Sequence, residues 1–324
     1  MNDINESKVI KKLIKKDFNM LGITLIVQGL ISNGVVFIVM IGIMIMKMVR
    51  DPNISEDQLK LLVEEPSFLG TISIIAVVIA FIPVLIYRRK KFVEYDLKVE
   101  NRKFTLKTVT IGFIILLSVN NMLGLFANGL ELGLNAIGLS AISALEDLDV
   151  LNQPTISMII YTCIIAPIFE EFLYRGAVLR GLEKYGRWFA ILVSAILFGL
   201  MHGNFYQIFM ATAVGIILGY LATEYSIKLT IILHICNNTF VEILSQITSH
   251  LSENVGNIIY GSIAGISVII LLITFIRNKN NIKGWLQNNR MEKGIMLRFV
   301  TSITVIIIIA YDLYMVVSGI TSIS

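Results

Sequence analysis

Charge is scarce in this sequence. Asp, Glu, Lys and Arg make up 15% of its 324 residues, whereas hydrophobic residues make up 56%; in an ordinary soluble domain about a quarter of residues are charged. With a mean hydropathy of +0.78, the chain needs an apolar solvent. Proline is scarce too, at five residues, which speaks against a disordered chain. The two cysteines, Cys163 and Cys236, both lie inside apolar runs. They read as packing thiols, not as a disulfide framework. The net charge of +4 comes from basic residues that flank apolar runs instead of forming a stripe. No nucleic-acid partner is therefore expected, and membrane lipid is.

What the sequence has in abundance is long apolar segments. A bilayer core about 30 Å thick takes roughly 20 apolar residues per helix. Nine segments approach this length, near 20–47, 67–87, 108–136, 154–180, 187–204, 206–223, 229–248, 256–276 and 298–319. The fifth and sixth are close enough to form a hairpin or a broken element. The expected fold is all-α, a polytopic transmembrane helical bundle of about eight to nine spans. Residues 1–150 read as an N-terminal scaffold of about three spans, 151–250 as a core of about four, and 251–324 as a pair of C-terminal helices.

Basic residues set the expected orientation. Lys8, Lys11, Lys12, Lys15 and Lys16 precede an apolar run too long for a signal peptide. Alternate turns carry Arg88, Arg89, Lys90 and Lys91, then Arg175, Arg180, Lys184 and Arg187, then Lys228, and finally a cluster from Arg277 to Arg298. The turn near 140–152 carries Glu146, Asp147 and Asp149 and no basic residue. A multi-pass protein of the cell membrane is expected, with its N-terminus cytoplasmic and its C-terminus outside.

Ionisable groups inside a membrane are costly and point to function. They concentrate in three segments: APIFEEFLYRGAVLRGL with Glu170, Glu171 and Arg175; SAILFGLMHGN with Phe198 and His202; and KLTIILHICNNTFVE with His234, Asn237 and Asn238. On an α-helix, Glu171 and Arg175 share a face and can pair. Glu170 lies about 100° away from Glu171, so the adjacent carboxylates are expected to have different roles. Phe198 and His202 share a face, as do His234 and Asn238. Asn237 reads as packing, Asn120 and Asn121 as interhelical bonding groups, and His250 as solvated. Glu131 and Glu242, near predicted helix ends, need no special role.

These strings carry a family resemblance. EEFLYR fits EExxxR, FGLMH fits FxxxH and HICNN fits HxxxN. In this order, on separate membrane helices, they resemble the CPBP group of intramembrane peptidases. That group includes CAAX prenyl proteases of the Rce1 type and the bacterial Abi proteins of bacteriocin processing and immunity. The resemblance covers roughly 154–248. It implies a peptidase in which Glu170 activates water, His202, His234 and Asn238 complete the catalytic site, and Glu171, Arg175 and Phe198 support it. The expected substrate is a membrane-associated protein or peptide precursor. No cofactor is expected; the alternative is zinc held by Glu170, His202 and His234, but the HExxH spacing common in zinc peptidases is absent. In that alternative Glu170 is a ligand, and no second carboxylate is expected in the cavity as base. Two further classes stay open on sequence: an immunity or partner-binding protein on the same scaffold, and a transporter, although no inverted repeat is visible.

Overall fold

The computed structural model describes residues 2–142 and 155–323. The N-terminal helix α1 (Asn2–Arg50) is followed by the short α2 (Glu56–Val63). The Ser55 hydroxyl accepts from the Gln58 N–H and the Gln58 side chain accepts from the Ser55 N–H, a capping box that starts α2. Helices α3 (Pro66–Ala80) and α4 (Ile82–Arg88) form one bent span, interrupted just before Pro83. A loop leads to α5 (Leu106–Asn135), capped by Thr105.

The segment bearing EEFLYR, α6, runs from 156 to 182 and is not a regular α-helix. Two α-helical turns, Ile156–Ile160 and Ala166–Glu170, alternate with π-helical windings at Tyr161–Ile165 and Glu171–Leu179. Pro167 lies between the windings and has no N–H to donate. Wide turns of this kind are rare and concentrate at functional sites. Next come α7 (Arg187–Leu200), α8 (Phe205–Glu224), α9 (Ile227–Ser249), α10 (Glu253–Asn288), α11 (Ile295–Val300) and α12 (Ile303–Ser318).

Among the described residues seven helices are long and apolar enough to cross a membrane, joined by two shorter apolar helices, Arg187–Leu200 and Ile303–Ser318. These nine correspond to the nine segments read from sequence. Helices α7 and α12 are shorter than a full span, the 14 residues of α7 extending about 21 Å, yet each leads from the Asp17 end of the bundle toward the β1–β2 end. Helix α7 packs against α8 as a tight hairpin. Gly199 makes this possible, because a Cβ there would collide with Thr212 and with the Ile208 carbonyl. Such small-residue contacts let membrane helices approach closely.

One hydrophobic cluster joins the two ends of the chain to the middle. It includes Phe18 from α1, Val84 from α4, Val178 from α6, Phe189 from α7 and Phe299 from α11. Phe18 meets Tyr185 and Phe299 edge to face, at 5.1 and 5.2 Å.

The bundle has two distinct ends. At one, Asp17 of α1 accepts hydrogen bonds from Lys184 and Tyr185, the backbones of Glu100 and Ser226 pair, and Glu224 accepts from the Trp285 indole N–H. The loop leading to α5 carries Asp96, whose carboxylate accepts two hydrogen bonds from Arg88, at 2.5 and 2.6 Å. Burial raises the Asp96 carboxyl above its ordinary value, against the pull of that guanidinium. At the opposite end β1 (Leu139–Ser140) pairs antiparallel with β2 (Thr321–Ser322). The expected acidic turn with Glu146, Asp147 and Asp149 lies outside the described residues.

Candidate active site

The three motif segments meet inside the bundle. Glu171 and Arg175 on α6 are both fully buried, and the Arg175 guanidinium comes within 2.9 Å of Glu171 Oε1. This contact is an ion pair without hydrogen-bond alignment, since the guanidinium nitrogens find no aligned acceptor among the described residues. The face of the guanidinium lies over the Phe198 ring, 4.3 Å from its centroid, where the ring quadrupole attracts the cation.

His234, on α9, is 4% exposed and stands between the two glutamates. Its Nδ1 is 2.9 Å from Glu171 Oε1 and its Nε2 is 3.5 Å from Glu170 Oε2. A carboxylate only accepts, so Nδ1 carries the proton toward Glu171 and the ring is fixed with Nε2 toward Glu170. The sequence reading needs correction here. Glu171 does not serve Arg175 alone: it also holds His234, whose other ring nitrogen meets Glu170 at the cavity. The two carboxylates still have different surroundings, Glu170 lining a cavity and Glu171 fully buried where α6 changes to π-helical winding.

His202 lies just beyond the end of α7, in the turn before α8. Its Nδ1 is 2.7 Å from the Phe198 carbonyl oxygen. A carbonyl only accepts, so this Nδ1 also carries the proton, leaving Nε2 without a partner among the described residues. The side chain thereby satisfies a carbonyl at the helix end. Gly203 makes the turn possible with φ +61°, and Asn204 accepts from the Tyr206 and Gln207 N–H groups to start α8. The Phe198 ring meets both His202 and His234 edge to face, at 5.0 and 5.8 Å. Phe198 therefore touches Arg175 and both imidazoles.

A polar cavity of about 330 Å³ opens from these groups. Glu170, His202, His234 and Asn238 all line it, together with Asn120, Gln207, Asn237 and Glu242. Asn238 donates to the Thr162 carbonyl at 3.1 Å and accepts from Asn237 at 3.3 Å, which leaves one Asn238 N–H for the cavity. Several polar residues were misjudged from sequence. Asn237 is part of the cavity wall, not simple packing. Asn120 also lines it, while Asn121 donates to the Leu117 carbonyl of its own helix at 2.7 Å instead of bonding across helices. Glu242 lines the same cavity, so the expectation that no second carboxylate shares it is overturned. Glu131 accepts from the Ser140 hydroxyl, the Ala141 N–H and the Tyr206 hydroxyl, and so anchors β1 to α5 and α8. His250 is exposed.

The three residues of the zinc alternative, Glu170, His202 and His234, all line the polar cavity. Among the described residues no three His, Cys, Asp or Glu side chains are grouped so as to hold a metal ion. The anchoring of each Nδ1 leaves only the two Nε2 atoms as donors, and one of these faces Glu170.

Comparison with known proteins agrees with the motif positions. Residues 152–240 match the family described as type II CAAX prenyl endopeptidase Rce1-like. The matched segment is about a quarter of the chain. It contains α6 to α8 and the part of α9 that carries His234 and Asn238. The chain is also 32% identical over 142 residues to "Putative membrane peptidase YdiL" of Bacillus subtilis (strain 168), a match covering 42% of this chain and 58% of that protein. The chain thus spans somewhat over half the length of that relative. No solved structure matches significantly.

Proposed function

We propose that this chain is an intramembrane endopeptidase that hydrolyses a peptide bond in a membrane-associated protein or peptide precursor, with Glu170 as the base. The observation that carries this reading is the anchoring of both imidazoles. Glu171 fixes Nδ1 of His234 and the Phe198 carbonyl fixes Nδ1 of His202, beside a carboxylate that lines the same polar cavity.

Amide hydrolysis needs an activated water, a stabilised oxyanion and a proton for the leaving amine. Glu170, with His202 beside it, polarises the water and takes its proton as oxygen attacks the carbonyl carbon. His234 Nε2 is placed to share that proton with Glu170. The free Asn238 N–H donates to the developing oxyanion, and His234 does so once Nε2 has taken up the shared proton. When the C–N bond breaks, the shared proton passes to the leaving nitrogen, and the carboxylate is restored. Every step uses the chain's own side chains and none requires a metal.

The test compares wild-type and E170Q membranes by mass spectrometry of new peptide termini, followed by assay of the purified protein on a cleaved sequence. Wild-type protein should yield termini that E170Q lacks, and activity should survive exhaustive chelation. Persistence of the same termini in E170Q would overturn Glu170 as base. Activity that vanishes on chelation and returns with zinc would overturn the metal-free mechanism.

A further inference from the structure

A second cavity, of about 600 Å³, lies on the other side of the site. It shares Glu170 and His202 with the polar cavity, but most of its wall is apolar. Its walls come from α1, the α3–α4 span, α6, α7 and α12. Helices α1 and α12, which supply part of the wall, lie outside the segment that matches the Rce1-like family. Leu30, Phe81, Phe169 and Ile308 supply apolar surface. Among the described residues the lining carboxylates are Asp312 and Glu170, and no Lys or Arg lines the cavity. Asp312 forms no hydrogen bond or ion pair among the described residues.

We propose that this cavity receives the apolar segment of the substrate and that Asp312 selects a Lys or Arg side chain carried by it. The inference rests on the peptidase reading and adds a substrate class to it. An apolar segment passes from lipid to a wall of the same character, so no polar group has to be buried for it to enter. A cation within it completes Asp312, whose charge is weakly screened in a site of low dielectric. A segment ending in a free carboxylate would instead face two like charges with no lining cation to offset them. The cavity thus favours an internal apolar sequence that carries a Lys or Arg over a C-terminal carboxylate.

The experiment uses full-length E170Q protein in phosphatidylcholine nanodiscs, so that binding is measured without turnover. Three fluorescent leucine–alanine peptides are titrated, identical except for one central Lys, Gln or Glu. The Lys peptide should bind at least about tenfold more tightly than the Gln peptide, and the Glu peptide most weakly. Adding D312N should bring the Lys peptide to the affinity of the Gln peptide, while D312E keeps the preference; melting curves verify that each variant is folded. Equal affinity for all three peptides, or a Lys preference that survives D312N, would overturn the proposal. Equal affinities combined with displacement by free lipid would assign the cavity to a lipid chain. Wild-type protein is then given the same peptides. Charge-ordered binding without cleavage would count against the peptidase reading and leave this inference standing; cleavage without charge discrimination would do the reverse.

Discussion

Glu171→Gln is the most informative single substitution, because Glu171 serves two buried partners at once. It lies 2.9 Å from the Arg175 guanidinium and 2.9 Å from His234 Nδ1, and its side chain has no exposed surface. Removing the carboxylate charge strands Arg175 in the interior. Breaking a buried ion pair by removing one partner costs about 3–5 kcal/mol. The Phe198 ring already stabilises the cation by about 2 kcal/mol when desolvated, so the lower end, about 3 kcal/mol, is expected. The double variant E171Q/R175M should recover most of that loss, since Met fills similar space and no charge is left unpaired. Activity should not recover with it. The amide that replaces the carboxylate presents an N–H as well as an oxygen to His234 Nδ1, so the ring loses its fixed tautomer, and cleavage should fall by about 10²-fold or more. Melting in detergent and cleavage of one peptide, run on all three proteins, separate the two effects. A double variant no more stable than E171Q would refute the unpaired-charge argument. A double variant with wild-type cleavage would refute the orienting role of Glu171.

Other consequences are directly measurable. Glu170→Gln should reduce cleavage by about 10²–10⁴-fold with nearly wild-type melting, because the Glu170 side chain is partly exposed and its contact with His234 is long at 3.5 Å. Gly199→Val should destabilise the α7–α8 hairpin by about 1–3 kcal/mol, the usual range for overpacking; the added carbon meets Thr212 and the Ile208 carbonyl, and unchanged melting would show that the hairpin yields there. Reporter fusions at residues 95 and 324 should report opposite sides of the membrane, since the 88–105 loop and the β1–β2 pair lie at opposite ends of the bundle; the same side for both would reject the odd number of crossings.

The span pattern was legible because hydrocarbon burial demands a length that the apolar runs display openly. Helix position within the bundle was less so, since α7 gains its place by packing against α8 instead of by its own length. The motif residues were legible as types: an intramembrane Glu, Arg or His stands out against Ile and Leu. The Glu171–Arg175 pair was legible from its spacing, whereas the contact of His234 with both glutamates was not, because it depends on how α9 packs against α6. Pro167, just before the two glutamates, was the available signal that the hydrogen-bond ladder changes there. Asn120, Gln207 and Glu242 reach the cavity from helices α5, α8 and α9, and only the three-dimensional packing of those helices brings them to it. Glu131 was set aside as a helix-end residue, yet three donors converge on it, one of them from Tyr206 on α8.

A peptidase working in a membrane must bring water to a carbonyl carried by an apolar segment. The placement of Glu170 and His202 bears on this requirement, because both line the polar cavity and the apolar one. On the proposed reading, water reaches Glu170 from the side of Asn120, Gln207 and Asn237, while the peptide approaches from the side of Leu30, Phe81 and Ile308. The polar side keeps a water supply that a wholly apolar pocket would exclude. The apolar side keeps the substrate segment out of that water until its carbonyl is beside the carboxylate. Arg175 and Glu171 lie behind this junction, fully buried, where a change in either charge alters the position of His234 without opening either cavity. The buried ion pair is therefore better understood as setting the geometry of the junction than as adding stability, for replacing such a pair with apolar side chains is often neutral or stabilising.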